Sequence, residues 1–270
     1  MTNQHQILLT NDDGIQSPGL WAAAEALSGL GFVHVVAPRD QTSGTGRSLP
    51  ANSDGIITTQ KMVVNNKSWT VYNVGGTPAQ AVLHALLEIL PEKPALVVSG
   101  INYGENVGIG ITVSGTVGAA LEAASMKIPA LAISLETEPI HHLSYSREVD
   151  FSVAAYFTTY FGRLLLTKDL PPDVDVLKVD VPCDATLKTP WKMTCLSRQR
   201  YFEPVAPQRQ SWNTPGTLGY RVGDDFERDH PGTDIYTLRV ERMVSVTPLS
   251  LDLTSRVDMN EIEGMLRTIA

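Results

Sequence analysis

Two cysteines, Cys183 and Cys195, are the whole thiol content of this 270-residue chain. They are too few and too unpatterned for a disulfide framework or a zinc site. Basic residues are also scarce: 21 Lys and Arg against 29 Asp and Glu leave a formal net charge of -8. A duplex-DNA binder needs a basic stripe to neutralise phosphates, so duplex nucleic acid is excluded as a partner. A small phosphorylated substrate is not excluded, because a bound divalent cation supplies the positive charge that the surface lacks. No apolar run reaches the roughly 18 residues of a membrane-spanning helix. The residues before Asn11 hold no Lys or Arg, so the basic start of a signal peptide is missing. No membrane partner and a cytoplasmic location are the expectations. Internal repeats and low-complexity segments are absent as well.

What is present is an ordinary globular composition, 43% hydrophobic and 19% charged, long enough to bury a real core. Ile7-Leu8-Leu9-Thr10 predicts a buried strand that ends in Asn11-Asp12-Asp13-Gly14, a turn. Ser17-Pro18-Gly19 predicts a helix start with Ser17 as cap and Pro18 at the first helical position. Leu20, Ala23, Ala24, Leu27 and Leu30 follow at helical spacing, and 33–38 is a second strand. That is a β-α-β unit with parallel neighbours and a right-handed crossover. A loop over 39–55 precedes a hairpin made of 56–64 and 69–74, and Thr77-Pro78 opens a helix to about Leu90. A strand at 96–99 leads into the Gly-rich stretch 100–110. A helix from Ser114 or Thr116, a strand at 130–134, a helix across 149–166 and a strand at 174–181 continue the alternation. Such alternation predicts an α/β fold with a Rossmann-like, doubly wound, mostly parallel sheet.

After Pro182 the pattern changes. Residues 183–233 are rich in Pro, Gly, Arg and Gln without a helical period, 235–246 predicts a strand, and 258–269 a terminal helix. The expected division is a catalytic core over 1–182 and a β-rich C-terminal extension over 183–270 that serves as an oligomerisation arm.

In a doubly wound sheet, ligands bind beyond the carboxyl ends of the strands. The unusual polar residues gather at those points: Asp12 and Asp13 after the first strand, Ser43 after the second, Asn102 and Asn106 after the strand at 96–99. This all-oxygen set suits a hard cation such as Mg²⁺ or Mn²⁺. Asp-Asp-Gly also makes plain turns and helix caps, but Ser17 already stands at the cap position. Two adjacent carboxylates without a cation repel and raise each other's pKa. Ser114-Gly115-Thr116 sits at a helix start, where backbone N–H groups and hydroxyls accept an anion, or where Ser114 or Thr116 simply caps the helix. His84, His141, His142 and His230 receive no role.

Taken in order along nearly the whole chain, several segments resemble the SurE survival-protein family. They are Asn11-Asp12-Asp13-Gly14 with Ser17-Pro18-Gly19, Ala37-Pro38 with Ser43-Gly44, and Gly76-Thr77-Pro78. Ser99-Gly100-Ile101-Asn102, Ser114-Gly115-Thr116-Val117, and Gly232-Thr233-Asp234 leading to Thr247-Pro248-Leu249 complete the set. The resemblance implies a metal-dependent 5'/3'-nucleotidase of acid-phosphatase type that acts on a small phosphorylated substrate with one divalent ion, Mg²⁺ or Mn²⁺, per subunit. By the same resemblance Asp12, Asp13, Ser43 and Asn102 hold the metal, and Asp12 and Asp13 are catalytic. Ser114, Gly115 and Thr116 hold the phosphate with Asn11 and Asn106 nearby, and the C-terminal extension joins a homodimer or homotetramer.

Three positions depart from the family pattern: Arg39-Asp40 reverses an acidic-then-basic pair, Gln80-Ala81 replaces an acidic residue and a cysteine, and Asp180-Val181-Pro182 replaces Asn-Val-Pro. Rival functions are a regulatory module that binds nucleotide or metal without turnover, and an exopolyphosphatase-like phosphatase. A haloacid-dehalogenase-type phosphatase would place Asn11 where its nucleophilic aspartate belongs. A dinucleotide-binding oxidoreductase would need Gly-x-Gly-x-x-Gly after the first strand.

Overall fold

In a computed structural model, residues 4–268 are described. The apolar run at the N-terminus forms β1 (Gln6–Thr10). Ile7 and Leu9 enter one core while Leu8 enters the other, because successive side chains of a strand point to opposite faces. That is why the run is continuous rather than alternating: both faces are covered. Helix α1 (Pro18–Leu27) and strand β2 (Phe32–Pro38) complete the first unit, and β2 lies parallel to β1. Ser17 occupies the cap position, but its side chain makes no capping bond, and its hydroxyl is buried without a partner. The expected Ser17 cap is therefore only positional, and Pro18 sets the helix start by its fixed φ.

The hairpin is β3 (Ile57–Val64) with β4 (Lys67–Val74). Its turn is only two residues, with β4 starting at Lys67 instead of 69; Asn65 and Asn66 stand at φ of 49 and 59°, the left-handed pair that matches the twist of the strands. Thr77 caps α2 (Pro78–His84) in a reciprocal box with Gln80, so one family departure has a local structural job. The helix continues as a wider turn over Ala85–Ile89.

The remaining core elements are β5 (Leu96–Tyr103), α3 (Gly115–Ser125), β6 (Ala130–Leu135), α4 (Ser152–Thr167) and β7 (Val176–Val181). Helices α1 and α4 pack on one face of the sheet, with Leu20, Leu27, Phe157 and Phe161 buried there. Helices α2 and α3 cover the other face with Val82, Val117 and Ala120.

The later chain holds β8 (Trp191–Met193), β9 (Phe202–Val205), β10 (Gly219–Val222), α5 (Asp234–Arg239), β11 (Val244–Leu249) and α6 (Met259–Arg267). The nine-stranded sheet has the order β3-β4-β2-β1-β5-β6-β7-β11-β8, and β9 and β10 make a separate two-stranded sheet. The mostly parallel, doubly wound architecture is as expected. Strand β1 lies between β2 and β5, and the winding reverses there; a crevice opens beyond the carboxyl ends of these strands.

The strand expected over 235–246 is corrected. Its first half is helix α5, because the Thr233 side chain caps it by accepting from Tyr236 N, and a short apolar run suits either state. Only its last three residues, 244–246, enter a strand, β11, antiparallel to β7 and parallel to β8. The expected terminal helix is present as α6, and its last expected residue, Ile269, lies outside the described residues. Among the described residues no helix is long and apolar enough to cross a membrane.

Because β11 pairs with β7 from Val176 to Asp180, a fragment ending at Pro182 would leave β7 as an unpaired edge strand, an aggregation template. Such a fragment is expected to show no cooperative unfolding transition by circular dichroism and to aggregate, whereas the full chain melts cooperatively; a cooperative melt of the fragment would contradict this.

Candidate active site

Beyond the ends of β1 and β5 lies a cavity of about 490 Å³ lined by Asp12, Ser43, Asn102, Asn106 and Ser114 among others. Five of the residues singled out in the sequence thus meet at one place. They arrive from the β1 turn, the loop after β2, the end of β5 and the start of α3.

Asp12 is 5% and Asp13 2% exposed. The Thr116 hydroxyl donates to Asp12 Oδ1 at 2.5 Å. Burial raises the pKa of Asp12, against the pull of the Thr116 hydroxyl and the nearby backbone N–H groups of Thr116 and Gly115. Asp13 accepts from Gln41 Nε2 at 2.9 Å through Oδ1 and from Tyr103 N at 3.1 Å through Oδ2. Burial and then the Asp12 charge push Asp13 well above the usual carboxylate range. Among the described residues, neither carboxylate has a cationic partner. Two buried adjacent acids without a counter-charge fit a cation, which would relieve both desolvation and repulsion.

The other oxygen donors support that fit. Asn102 donates its amide hydrogens to the carbonyls of Gly104 and Tyr103 at 2.7 and 3.1 Å, which orients the side chain and leaves Oδ1 to accept. Ser43 is exposed on its loop. That loop is tied to the site by Thr42 N, which donates to Asp12 O at 2.8 Å. Gly115 has to be glycine: a Cβ there would stand 2.7 Å from the Asp12 Cβ and 2.8 Å from Oδ2. A different acidic cluster, Glu136 with Cys183 and Asp184, is a poor cation site. Arg242 bridges both of its carboxylates at 2.6–2.7 Å, and Arg239 binds Glu136.

Three expected phosphate contacts are placed differently. Asn11 is fully buried; its amide donates to Gly14 O at 3.0 Å, locking the turn under the site instead of lining the cavity. Thr116 is fully buried and spends its hydroxyl on Asp12. Gly115 is packed against that same carboxylate. Ser114 does line the cavity, and its hydroxyl also caps α3 by accepting from Val117 N at 3.1 Å. Asn106 is held by its amide to Ser134 Oγ at 2.8 Å.

Sequence reasoning missed the other cavity walls: Glu105, His142, Tyr201, Phe202 and Tyr220. His142, assigned no role above, has Nδ1 2.9 Å from the Tyr220 hydroxyl, and burial lowers its pKa. The available signals were Glu105 inside the Asn-x-Gly-x-Asn stretch and the Tyr201-Phe202 pair in an aromatic-poor segment.

A buried ionic triad sets the loop that carries Asn106. Lys178, Asp180 and Asp234 are each fully buried; Lys178 Nζ lies 2.5 Å from Asp180 and 3.2 Å from Asp234. The two carboxylates then receive the loop's own backbone: Asn106 N donates to Asp180 at 2.7 Å and Gly108 N to Asp234 at 2.9 Å. The Asp180 departure from the family pattern thus supplies the charge that Lys178 faces.

A family model described as "Survival protein SurE" matches residues 7–203. The 5'-nucleotidase SurE of Thermococcus kodakarensis is 42% identical over 97% of this chain and 98% of its own. The enzyme of the same name from Archaeoglobus fulgidus is 41% identical over 96% of both. The crystal structure of the SurE protein from Aquifex aeolicus superimposes with a TM-score of 0.75 at 31% identity, covering 97% of this chain and 99% of that one.

Lys178→Met is expected to cost about 3–5 kcal/mol, since it leaves two buried carboxylates uncompensated. Adding Asp180→Asn and Asp234→Asn should recover much of that loss in a urea melt. A triple variant no more stable than Lys178→Met would refute the charge-balance account.

Proposed function

Since this chain belongs to the SurE survival-protein family, we infer that it is a divalent-metal-dependent phosphomonoesterase that releases phosphate from nucleoside monophosphates. The observation that carries this is the shared cavity in which Asp12, Ser43, Asn102 and Ser114 meet, beside two buried acids that lack a counter-charge.

In this proposal Asp12, Asp13, Ser43 and Asn102 hold one divalent ion per subunit, Mg²⁺ or Mn²⁺, and the oxygen-only donor set favours such hard ions. When bound, the ion supplies a Lewis acid for the phosphoryl group and a water of lowered pKa. The chain's residues do the rest. Both Asp13 oxygens are already bonded, so Asp13 fixes the position of the pair, and Asp12 is the carboxylate available to accept a proton from the attacking water. The Ser114 hydroxyl, which accepts from Val117 N, keeps its own hydrogen for a phosphate oxygen at the positive end of α3. Thr116 and Gly115 serve the phosphate indirectly by orienting Asp12.

The free, exposed thiols Cys183 and Cys195 suit a reducing cytoplasm. The C-terminal extension is proposed to join subunits into a dimer or tetramer, because α6 exposes Met259, Ile262, Met265 and Leu266 together.

Asp12→Asn and Asp13→Asn should each lower hydrolysis of AMP by at least about a hundredfold, more than the loss of an outer-shell partner, with the circular dichroism spectrum unchanged; retained turnover would remove the metal-site assignment. Mn²⁺ at about 100 times its Kd should stabilise the chelated protein by about 2.7 kcal/mol, and Asp12→Asn should erase that gain. The pH sign follows from the raised pKa of both acids. Protons compete with the ion as pH falls, so the Mn²⁺-induced rise in Tm should be smaller at pH 5 than at pH 7.5. A larger rise at pH 5 would count against these carboxylates as ligands.

A further inference from the structure

The cavity lining falls into two chemical groups. One is the set of oxygen donors around Asp12. The other is aromatic and comes largely from the β9–β10 sheet, which stands apart from the main sheet. Phe202 and Tyr220 lie edge to face with ring centroids 5.3 Å apart, and Tyr201 packs on Phe202 at 4.8 Å. The His142 ring is stacked on Tyr220 at 6.0 Å, and its Nδ1 meets the Tyr220 hydroxyl. Phe202 is half-buried and Tyr220 43% exposed, so flat apolar faces remain open to the cavity.

Between the two groups in sequence stands Glu105, on the same stretch as Asn102 and Asn106. It is 2% exposed and lines the cavity, yet its Oε2 is buried without a hydrogen-bond partner. The Tyr201 hydroxyl, also at the cavity, faces the Glu105 carboxylate, but among the described residues neither atom has a partner in good hydrogen-bond geometry. Buried polar atoms are almost always paired, and each exception asks for an explanation. Metal ligation does not supply one, since Glu105 belongs to no cluster of three or more ligating side chains among the described residues. Nor does an ion pair: among the described residues Glu105 makes no salt bridge, and Arg239 binds Glu136 instead.

We propose that Glu105, Tyr201, Phe202 and Tyr220 form a nucleoside subsite, in which the Phe202 and Tyr220 faces take the base and the Glu105 carboxyl, with the Tyr201 hydroxyl beside it, takes an O–H or N–H donor of the nucleoside. This deepens the nucleotidase assignment and rests on it for the phosphate end. A cavity of this size accommodates a nucleotide. Aromatic faces bind any base through its π-surface. An acceptor such as Glu105 picks out donors, the ribose hydroxyls or a base amino group. Burial pushes the Glu105 carboxyl up to about 7, so near neutral pH it has both an acceptor oxygen and, in part of the population, a donor hydrogen. A simple alkyl phosphate offers the aromatic faces nothing, so the subsite separates nucleotides from small esters.

The test is steady-state hydrolysis by the full-length, Mn²⁺-loaded protein of AMP, 2'-deoxy-AMP and glycerol 2-phosphate. For Glu105→Leu, and separately for Phe202→Ala with Tyr220→Ala, the ratio of kcat/KM for AMP to that for glycerol 2-phosphate should fall about tenfold or more, mainly through KM; loss of one hydrogen bond to a charged group is of that size. Equal losses on both esters, as a purely structural role would give, or an unchanged ratio, would overturn the proposal. A wild-type preference for AMP over 2'-deoxy-AMP that Glu105→Leu erases assigns the donor to the ribose; equal handling of the two assigns it to the base.

Binding of adenosine, which lacks the phosphate, gives a readout that needs no turnover. Saturation-transfer NMR should show adenine protons in contact with the wild-type protein and lose them in the Phe202→Ala, Tyr220→Ala variant, whose substitutions sit on a partly exposed hairpin. If the wild type hydrolyses glycerol 2-phosphate but not AMP, the nucleotidase assignment falls, and the adenosine signal alone decides the subsite. If AMP is hydrolysed but adenosine gives no signal, the subsite falls and the nucleotidase assignment stands.

Discussion

The structure turns on two neighbouring carboxylates, Asp12 and Asp13, buried at the end of the first strand without a cation from the protein. Burial disfavours their charged forms, and each charge disfavours the other. A fold keeps such an arrangement only where the surroundings hold it in place. Here the support is visible atom by atom: Thr116 and the α3 start grip Asp12, while Gln41 and the backbone of Tyr103 grip Asp13. The residues that hold the pair come from the loop after β2, the end of β5 and the start of α3, which makes the site a product of the sheet's topology. Strand β1 lies at the point where the winding reverses, so loops from both directions reach its end.

A second constraint lies deeper. Lys178 and its two aspartates carry charge into the buried interior, and backbone N–H groups of the loop at 106–108 donate to the aspartates. One of those aspartates, Asp234, comes from the C-terminal part of the chain, and β11 from the same part fills the sheet beside β7. The extension is thereby tied to the site-bearing loop through buried charge as well as through the sheet. Its β9–β10 hairpin adds aromatic walls to the cavity that holds Asp12.

Much of the fold was legible because the sheet is buried on both faces. Apolar runs at 7–9, 35–37, 96–98 and 130–133 mark strands that need covering on both sides, and the Pro and Thr or Ser residues at the starts of α1, α2 and α3 mark helix starts. The run from 235 onward was not legible, since six helical residues and six strand residues in succession show neither period clearly. There the Thr233 cap decided the helix, and pairing with β7 decided the strand. The site was legible where residue type limits the chemistry, as with adjacent acids and a Gly-rich loop. It was not legible for Thr116, Gly115 and Asn11, whose side chains or backbone proved to support Asp12 and its turn instead of facing the cavity. The difference lies in rotamer direction and neighbouring contacts, which spacing along a chain does not encode.

The sequence by itself determined the fold class, the family, and the inventory of oxygen donors at strand ends, because periodicity and residue chemistry are local properties written in order along the chain. Tertiary structure alone decided which donors face a common cavity, and that Asp234 answers Lys178. It also decided that Glu105 is held in the dark beside Tyr201, with residues from the far end of the chain closing the wall. Those outcomes depend on distances between segments far apart in the sequence, and only packing fixes such distances.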